Sequence, residues 1–365
     1  MKTRTFIKAS ALLVALGMGL AFAAGCAKKS DDTDAIAKYG SNTLKIYLPG
    51  EYTSETLIPN FEKQYGVKVI VELFDSNEMM YAKVQAGDKY DVLIPSDYMI
   101  ERLLSQKLLQ PLDKSRMTNI NLLDKAVLNL SFDPDNTYSI PYFWGNVGLV
   151  YNKTKVDPKI IQEQGYNILQ NTDYAGQIYW YDSERDSFMV ALKALGLSMN
   201  TDNKDEIQKA YEWLLKMNDT MKPTYVTDEV IDNMSNGLKN IAIVYSGDAA
   251  FILNENKDMD YIAPSQGTNV WYDAMVIPAN AENPKLANEF INYVASYEAS
   301  LGNSQAVGYA SPNAKVLTEM KAPGAAYEHN AAYLPRTGFE KDEIFHDNDV
   351  IRAMISELWI KVKAH

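Results

Sequence analysis

One cysteine, Cys26, and three histidines are all that 365 residues offer of the side chains most used for metal ligation and nucleophilic catalysis. A lone thiol cannot close an internal disulfide. The histidines, His329, His346 and His365, all lie near the end of the chain, and the spacing expected of a zinc site or a Cys/His nucleophile is missing. No Gly-x-Ser-x-Gly elbow, phosphate-binding loop or dinucleotide fingerprint occurs. Catalysis by paired carboxylates alone stays open. Arginine is also scarce, at six residues, and only Arg185 lies near a candidate loop. Recognition of an amino acid or another carboxylate usually calls for an arginine fork, so this scarcity argues against such solutes. Beyond Phe22 no apolar run is long enough for a transmembrane helix.

What is present begins with an export signal. Lys2, Arg4 and Lys8 precede an apolar stretch from Ala9 to Phe22, and Ala23-Ala24-Gly25-Cys26 closes it with small residues. That order reads as a lipoprotein signal over residues 1–25, with Cys26 acylated as the new N-terminus. Such signals usually carry Leu three residues before the cysteine, where this chain has Ala23. A secreted protein cleaved near Ala24 is the alternative. Removing residues 1–25 takes away three positive charges and moves the formal net charge from −12 to −15. So acidic a chain repels nucleic acid and attracts cations. Residues 26–42, small, polar and charged, are expected to be a flexible tether.

The body alternates short strands with amphipathic helices. A strand over Leu44–Leu48 leads to a helix over Thr56–Tyr65 closed by Gly66. A strand over Val67–Phe74 leads to a helix capped by Asn77 and closed by Gly87, and a third strand over Tyr90–Pro95 leads to another helix. This βαβαβα order predicts a parallel sheet covered by helices. A second α/β region follows Trp144. It has a helix with Ile207, Tyr211, Leu214 and Leu215 on one face, a strand over Ile241–Tyr245, and a helix begun by Asn283-Pro284 that buries Leu286, Phe290, Ile291 and Val294. Two such regions place a ligand crevice at the carboxyl ends of strands.

Acids and aromatics stand at those ends: Glu51-Tyr52, Ser96-Asp97-Tyr98, Ser246-Gly247-Asp248, Trp271-Tyr272-Asp273 and Tyr309. Carboxylates hold ammonium groups by charge-assisted hydrogen bonds. Aromatic faces add ~0.5–2 kcal/mol per cation–π contact and cover the methylenes between two amines, each worth about 0.8 kcal/mol on burial. Asp97 and Asp248 also stand where helix N-caps stand, and capping alone would account for them. Trp271 would serve equally well as core.

Four strings together resemble the bacterial spermidine/putrescine-binding proteins: Asp75-Ser76-Asn77-Glu78-Met79-Met80-Tyr81-Ala82-Lys83, Val92–Ser96, Tyr138–Gly145 and Ile277–Ala281. The resemblance runs from about Thr43 to Lys363. It implies an α/β, two-lobed periplasmic binding protein of type II, each lobe a mostly parallel sheet flanked by helices, with the ligand cleft between lobes. The expected lobes are 43–146 plus 274–316 and 147–273 plus 317–365. The implied activity is non-enzymatic: capture of putrescine or spermidine outside the cytoplasmic membrane and delivery to an ABC permease, without cofactor, metal or nucleic acid. Carried over position by position, the implied ligand contacts are Glu51, Tyr52, Ser96, Tyr98, Asp186, Tyr245, Asp248, Trp271, Asp273 and Tyr309.

Three departures bear on specificity. Pro49 and Tyr245 replace family tryptophans, and Ser183 replaces a second aspartate. With Asp248 present, they favour putrescine over longer polyamines. The family also has a polar cleft residue near its C-terminus, for which His346 and Asp347 are the two candidates here. Trp144 reads as hinge or lobe packing. A sugar or another cationic solute, a carboxylate-pair glycoside hydrolase, and an adhesin or sensor that lost transport are the competing readings.

Overall fold

The computed structural model describes residues 31–365. Cys26 and the export signal lie outside the described residues. The first half holds strands β1 (Thr43–Pro49), β2 (Lys68–Phe74), β3 (Val92–Leu93) and β4 (Leu109–Gln110), with helices α1 (Asp31–Tyr39), α2 (Leu57–Tyr65), α3 (Asn77–Gln85) and α4 (Asp97–Ser105). The long β5 (Ser139–Asn152) leads into the second half, with strands β6 (Ile178–Tyr181), β7 (Thr224–Val226), β8 (Ile241–Tyr245) and β9 (Met259–Ile262). Its helices are α5 (Pro158–Gln164), α6 (Glu184–Ala194), α7 (Lys204–Met221), α8 (Glu229–Ser235) and α9 (Ser246–Glu255). The chain returns through β10 (Val270–Pro278) and ends in α10 (Pro284–Val294), α11 (Tyr297–Val307), α12 (Ala314–Met320) and α13 (Asp349–Ala364).

The strands run in the order β2-β1-β3-β10-β5-β8-β6-β7, with β4 paired to β10 and β9 to β5. On each side three strands are parallel, and β5 and β10 join them antiparallel to each other. Ser139–Asn146 of β5 pairs with β10, and Val147–Asn152 pairs with β8 and β9. The first crossing between halves therefore falls at Asn146/Val147. Val270–Val276 of β10 pair with the first part of β5, and Ile277 and Pro278 pair with β4, so the second crossing precedes Val270, ahead of the expected 273/274 division. The expected 316/317 division falls inside α12, a single helix. A third crossing lies between Asn313, bonded to the Ala295 carbonyl, and Asn330, bonded to the Ala250 carbonyl.

Strand alternation builds two cores from one sheet. Leu44, Ile46 and Leu48 of β1 pack with Phe61 of α2 and Phe290 of α10, whereas Tyr47 points the other way, onto Phe74 and Tyr90. The helices expected at 56–65 and from 283 onward both form, the second with its expected buried face. Gly66 ends α2 at φ 67°, and its N–H reaches the Glu62 carbonyl. In α7, Ile207 and Leu214 are buried, while Tyr211 and Leu215 are half-buried at the margin.

Two local expectations are corrected. Ser76 caps α3, accepting from the Met79 N–H, while Asn77 reaches across to Ser96. Within the expected tether, Asp31–Tyr39 is helical, with Ala35 and Tyr39 buried and Tyr39 packed on Tyr65 at 5.6 Å. Four residues apart, Ala35 and Tyr39 share one helix face, and that narrow stripe is enough to dock α1 on the first half.

Candidate functional site

Chain segments that follow β1, β3 and β6, together with the end of β8 and β10 itself, converge on one slot of about 210 Å³. Eight of the ten expected residues line it: Tyr52, Ser96, Tyr98, Asp186, Tyr245, Trp271, Asp273 and Tyr309. Glu51 does not; it is exposed, at φ 54°, and turns away at the end of β1. Asp248 stands behind the wall and accepts a 3.2 Å hydrogen bond from the Tyr309 hydroxyl. Pro49, Asp97, Arg185, Asn269 and Phe345 complete the lining.

Two carboxylates are built alike. Asp273, 8% exposed, accepts a 2.5 Å bond at Oδ2 from the Tyr52 hydroxyl. Asp186, 5% exposed, accepts at Oδ2 from the Tyr245 hydroxyl at 2.6 Å and from Ser183 Oγ at 2.7 Å. In both, the other oxygen, Oδ1, has no protein partner. Asn269 Oδ1 and Trp271 Nε1 are in the same state, so four of the six buried side-chain polar atoms left unpartnered among the described residues belong to this slot. A buried acceptor without a donor costs ~1–3 kcal/mol, more for a charged group, and such atoms collected in one place mark a recognition surface. Asp273 sits where the β5–β10 register shifts, an irregularity that re-aims a side chain out of the sheet.

The aromatic wall is a chain of edge-to-face contacts. Tyr245 meets Trp271 at 6.2 Å, Trp271 meets Tyr309 at 5.1 Å, and Tyr309 meets Tyr52 at 6.1 Å. Two glycines let these rings lie close to the backbone. A Cβ on Gly145 would stand 2.4 Å from the Trp271 ring, and one on Gly247 2.2 Å from the Tyr309 ring. Gly247→Ala is therefore expected to destabilise the protein by ~1–3 kcal/mol, the usual cost of overpacking. A urea denaturation midpoint equal to wild type would show that Tyr309 retreats freely.

Burial sets the protonation of the acids. Asp97, 1% exposed, is pushed up to about 8 by burial, against the pull of hydrogen bonds from the Tyr98 and Tyr272 N–H groups. The bond from Tyr272 ties α4 to β10, and the expected cap is absent. Asp248 is pushed up to about 7 by burial, opposed by the Tyr309 hydroxyl. Burial also raises Asp273, opposed by the hydrogen bond from Tyr52 and by the nearby Ser96. Each of these acids gains from a nearby cation, which favours its charged form.

Arg185, the one arginine near a candidate loop, lines the slot. Its guanidinium lies 3.4 Å from the Tyr98 ring centroid and 5.2 Å from that of Phe345, with Nη2 3.4 Å from Glu78 Oε1. Glu78 matches its charge and Tyr98 covers its face. Neither His346 nor Asp347 enters the slot. His346 Nδ1 and the Asp347 N–H bond to Glu101 of α4, and Arg102 pairs with Asp347 and Asp349. These contacts clasp the two halves at the rim. Phe345, one residue earlier, is the C-terminal cleft residue. Trp144 is buried packing, stacked parallel to Tyr272 at 5.9 Å.

Residues 56–332 match the family model for bacterial extracellular solute-binding proteins. The chain belongs to that family. A spermidine/putrescine-binding periplasmic protein of Escherichia coli is 31% identical to this solute-binding protein, over 89% of this chain and 92% of its own. Among solved structures, a spermidine/putrescine ABC transporter substrate-binding protein from Streptococcus pneumoniae superposes with a TM-score of 0.76 at 34% identity, covering 89% of this chain and 99% of that one. A lipoprotein of Treponema pallidum gives a TM-score of 0.74 at 25% identity, covering 88% and 99%. The α/β architecture is thus the two-lobed type II fold of periplasmic solute-binding proteins. Among the described residues of this solute-binding protein, no helix is long and apolar enough to cross a membrane.

Proposed function

We propose that this solute-binding protein is a non-catalytic receptor for polyamines, with putrescine its preferred ligand. It would deliver the diamine to an ABC permease while anchored outside the cytoplasmic membrane by lipid on Cys26. The observation that carries the reading is the matched pair of buried carboxylates. Asp186 on the second half and Asp273 on β10 each have one oxygen held by a tyrosine and the other unpartnered. Two such acceptors suit two ammonium groups, and the Trp271–Tyr309–Tyr52 wall suits the methylenes between them. The names of the relatives point the same way.

Isothermal titration of the mature, non-acylated protein tests this. Putrescine is expected to bind with a dissociation constant of ~1 μM or below, about −8 kcal/mol. Cadaverine and spermidine should bind more weakly. No heat with any polyamine, from protein shown to be folded, would sink the proposal. Mass spectrometry of ligand carried through purification distinguishes an intact diamine from a sugar or a cleaved product.

A further inference from the structure

We infer that Arg185 is the end wall of the slot and sets the length of polyamine that it admits; the inference rests on the receptor reading above. A second cavity, of about 160 Å³, lies beside the first, and the two share three residues: Tyr98, Arg185 and Phe345. Arg185 is the middle of that trio, its guanidinium lying near both rings and tied to Glu78. A flat cation held by an aromatic face is a well-filled plug. Its stem rises from α6 in the second half, while Tyr98 and Glu78 belong to the first. The wall is therefore completed only when the halves meet.

The length limit follows from charge and position. A diamine places its two ammonium groups at Asp186 and Asp273 and is then spent. A triamine carries a third ammonium, and any course toward the second cavity brings that charge against the guanidinium of Arg185. Beyond the wall stand Glu184, Asn200 and Thr201. These side chains offer oxygen acceptors of the kind an ammonium takes. Without Arg185 the two cavities become one longer slot with acceptors at its far end.

Titration of wild type, Arg185→Ala and Arg185→Lys with putrescine and spermidine at one pH and salt concentration tests the inference. Wild type is expected to prefer putrescine. In Arg185→Ala, the ratio of spermidine to putrescine affinity should rise at least tenfold. Arg185→Lys keeps the charge but lacks the flat fork, and its ratio should rise at least threefold. A ratio in Arg185→Ala within twofold of wild type, with putrescine still bound, would overturn the wall. So would Arg185→Lys behaving as wild type while Arg185→Ala shifts, since charge alone would then set the preference. Circular dichroism and thermal melts verify folding, and Arg185→Gln replaces the alanine variant if that one is unfolded. A wild type that binds no polyamine overturns the receptor reading together with the wall, whereas unchanged ratios overturn the wall alone.

Discussion

Asp273→Asn is expected to weaken putrescine binding by about 100-fold or more. The substitution keeps the volume and leaves an oxygen that can still accept from Tyr52, so the fold should survive. It removes the charge that a buried ammonium requires. Taking one partner from a buried ion pair costs ~3–5 kcal/mol, and each ~1.4 kcal/mol is tenfold in affinity. The ligand-free protein should respond in the opposite direction. Burial already raises Asp273 above the usual carboxylate range, so a neutral amide relieves a desolvation cost that the acid bears without ligand. Denaturant unfolding should therefore give Asp273→Asn equal or greater stability than wild type. Wild-type affinity in this variant would show that the diamine sits elsewhere.

Affinity should also rise with pH between 6 and 8.5, and protons should leave on binding. Asp97 is raised to about 8 and Asp248 to about 7, so without ligand each holds a proton that an unfolded aspartate, near ~3.9, has lost. For such raised acids the linkage sign is definite. Their contribution to stability is fully present below the unfolded value and is lost as pH rises through the folded one, from about 4 to about 8. An alkylammonium keeps its charge across this range, since its own pKa is near ~10. By favouring the ionised acids it lowers their pKa values, and every proton released adds up to about tenfold in affinity per pH unit. Titrations in buffers of different ionisation heat would count the protons. Uptake of protons, or a dissociation constant flat across this range, would contradict the assignment.

Much of this was legible beforehand because it is local. The βαβαβα order follows from alternation and from glycine stops such as Gly66, and the strand-end rule placed Tyr52 and Ser96 at the slot, whereas Trp271 and Asp273 reach it from inside β10 rather than from a strand end. What was misread depends on distant partners. Asp97 looked like a helix cap because its use, a bond from the Tyr272 N–H, comes from 175 residues away. Arg185 had no local sign of its partners, since Tyr98 and Glu78 lie in the other half. Phe345 has no motif around it and reaches the slot only because Glu343 and Ile344 are bonded to Thr268, Val270 and Asn200. Glu51 was carried over by neighbourhood to Tyr52, yet its left-handed backbone turns it outward.

The two long strands have a mechanical meaning. β5 changes partners at Asn146/Val147, and the Val147 N–H bonds to the Asn269 carbonyl just before β10 begins. That joint adjoins Gly145, Asn269 and Trp271, so a ligand in the proposed slot would rest on the strand crossing between the halves. If the halves turned about that crossing, a small twist there would become a wide swing at the outer edge, where Glu101 meets His346. A membrane partner gripping only that edge could tell a loaded molecule from an empty one without touching the cargo.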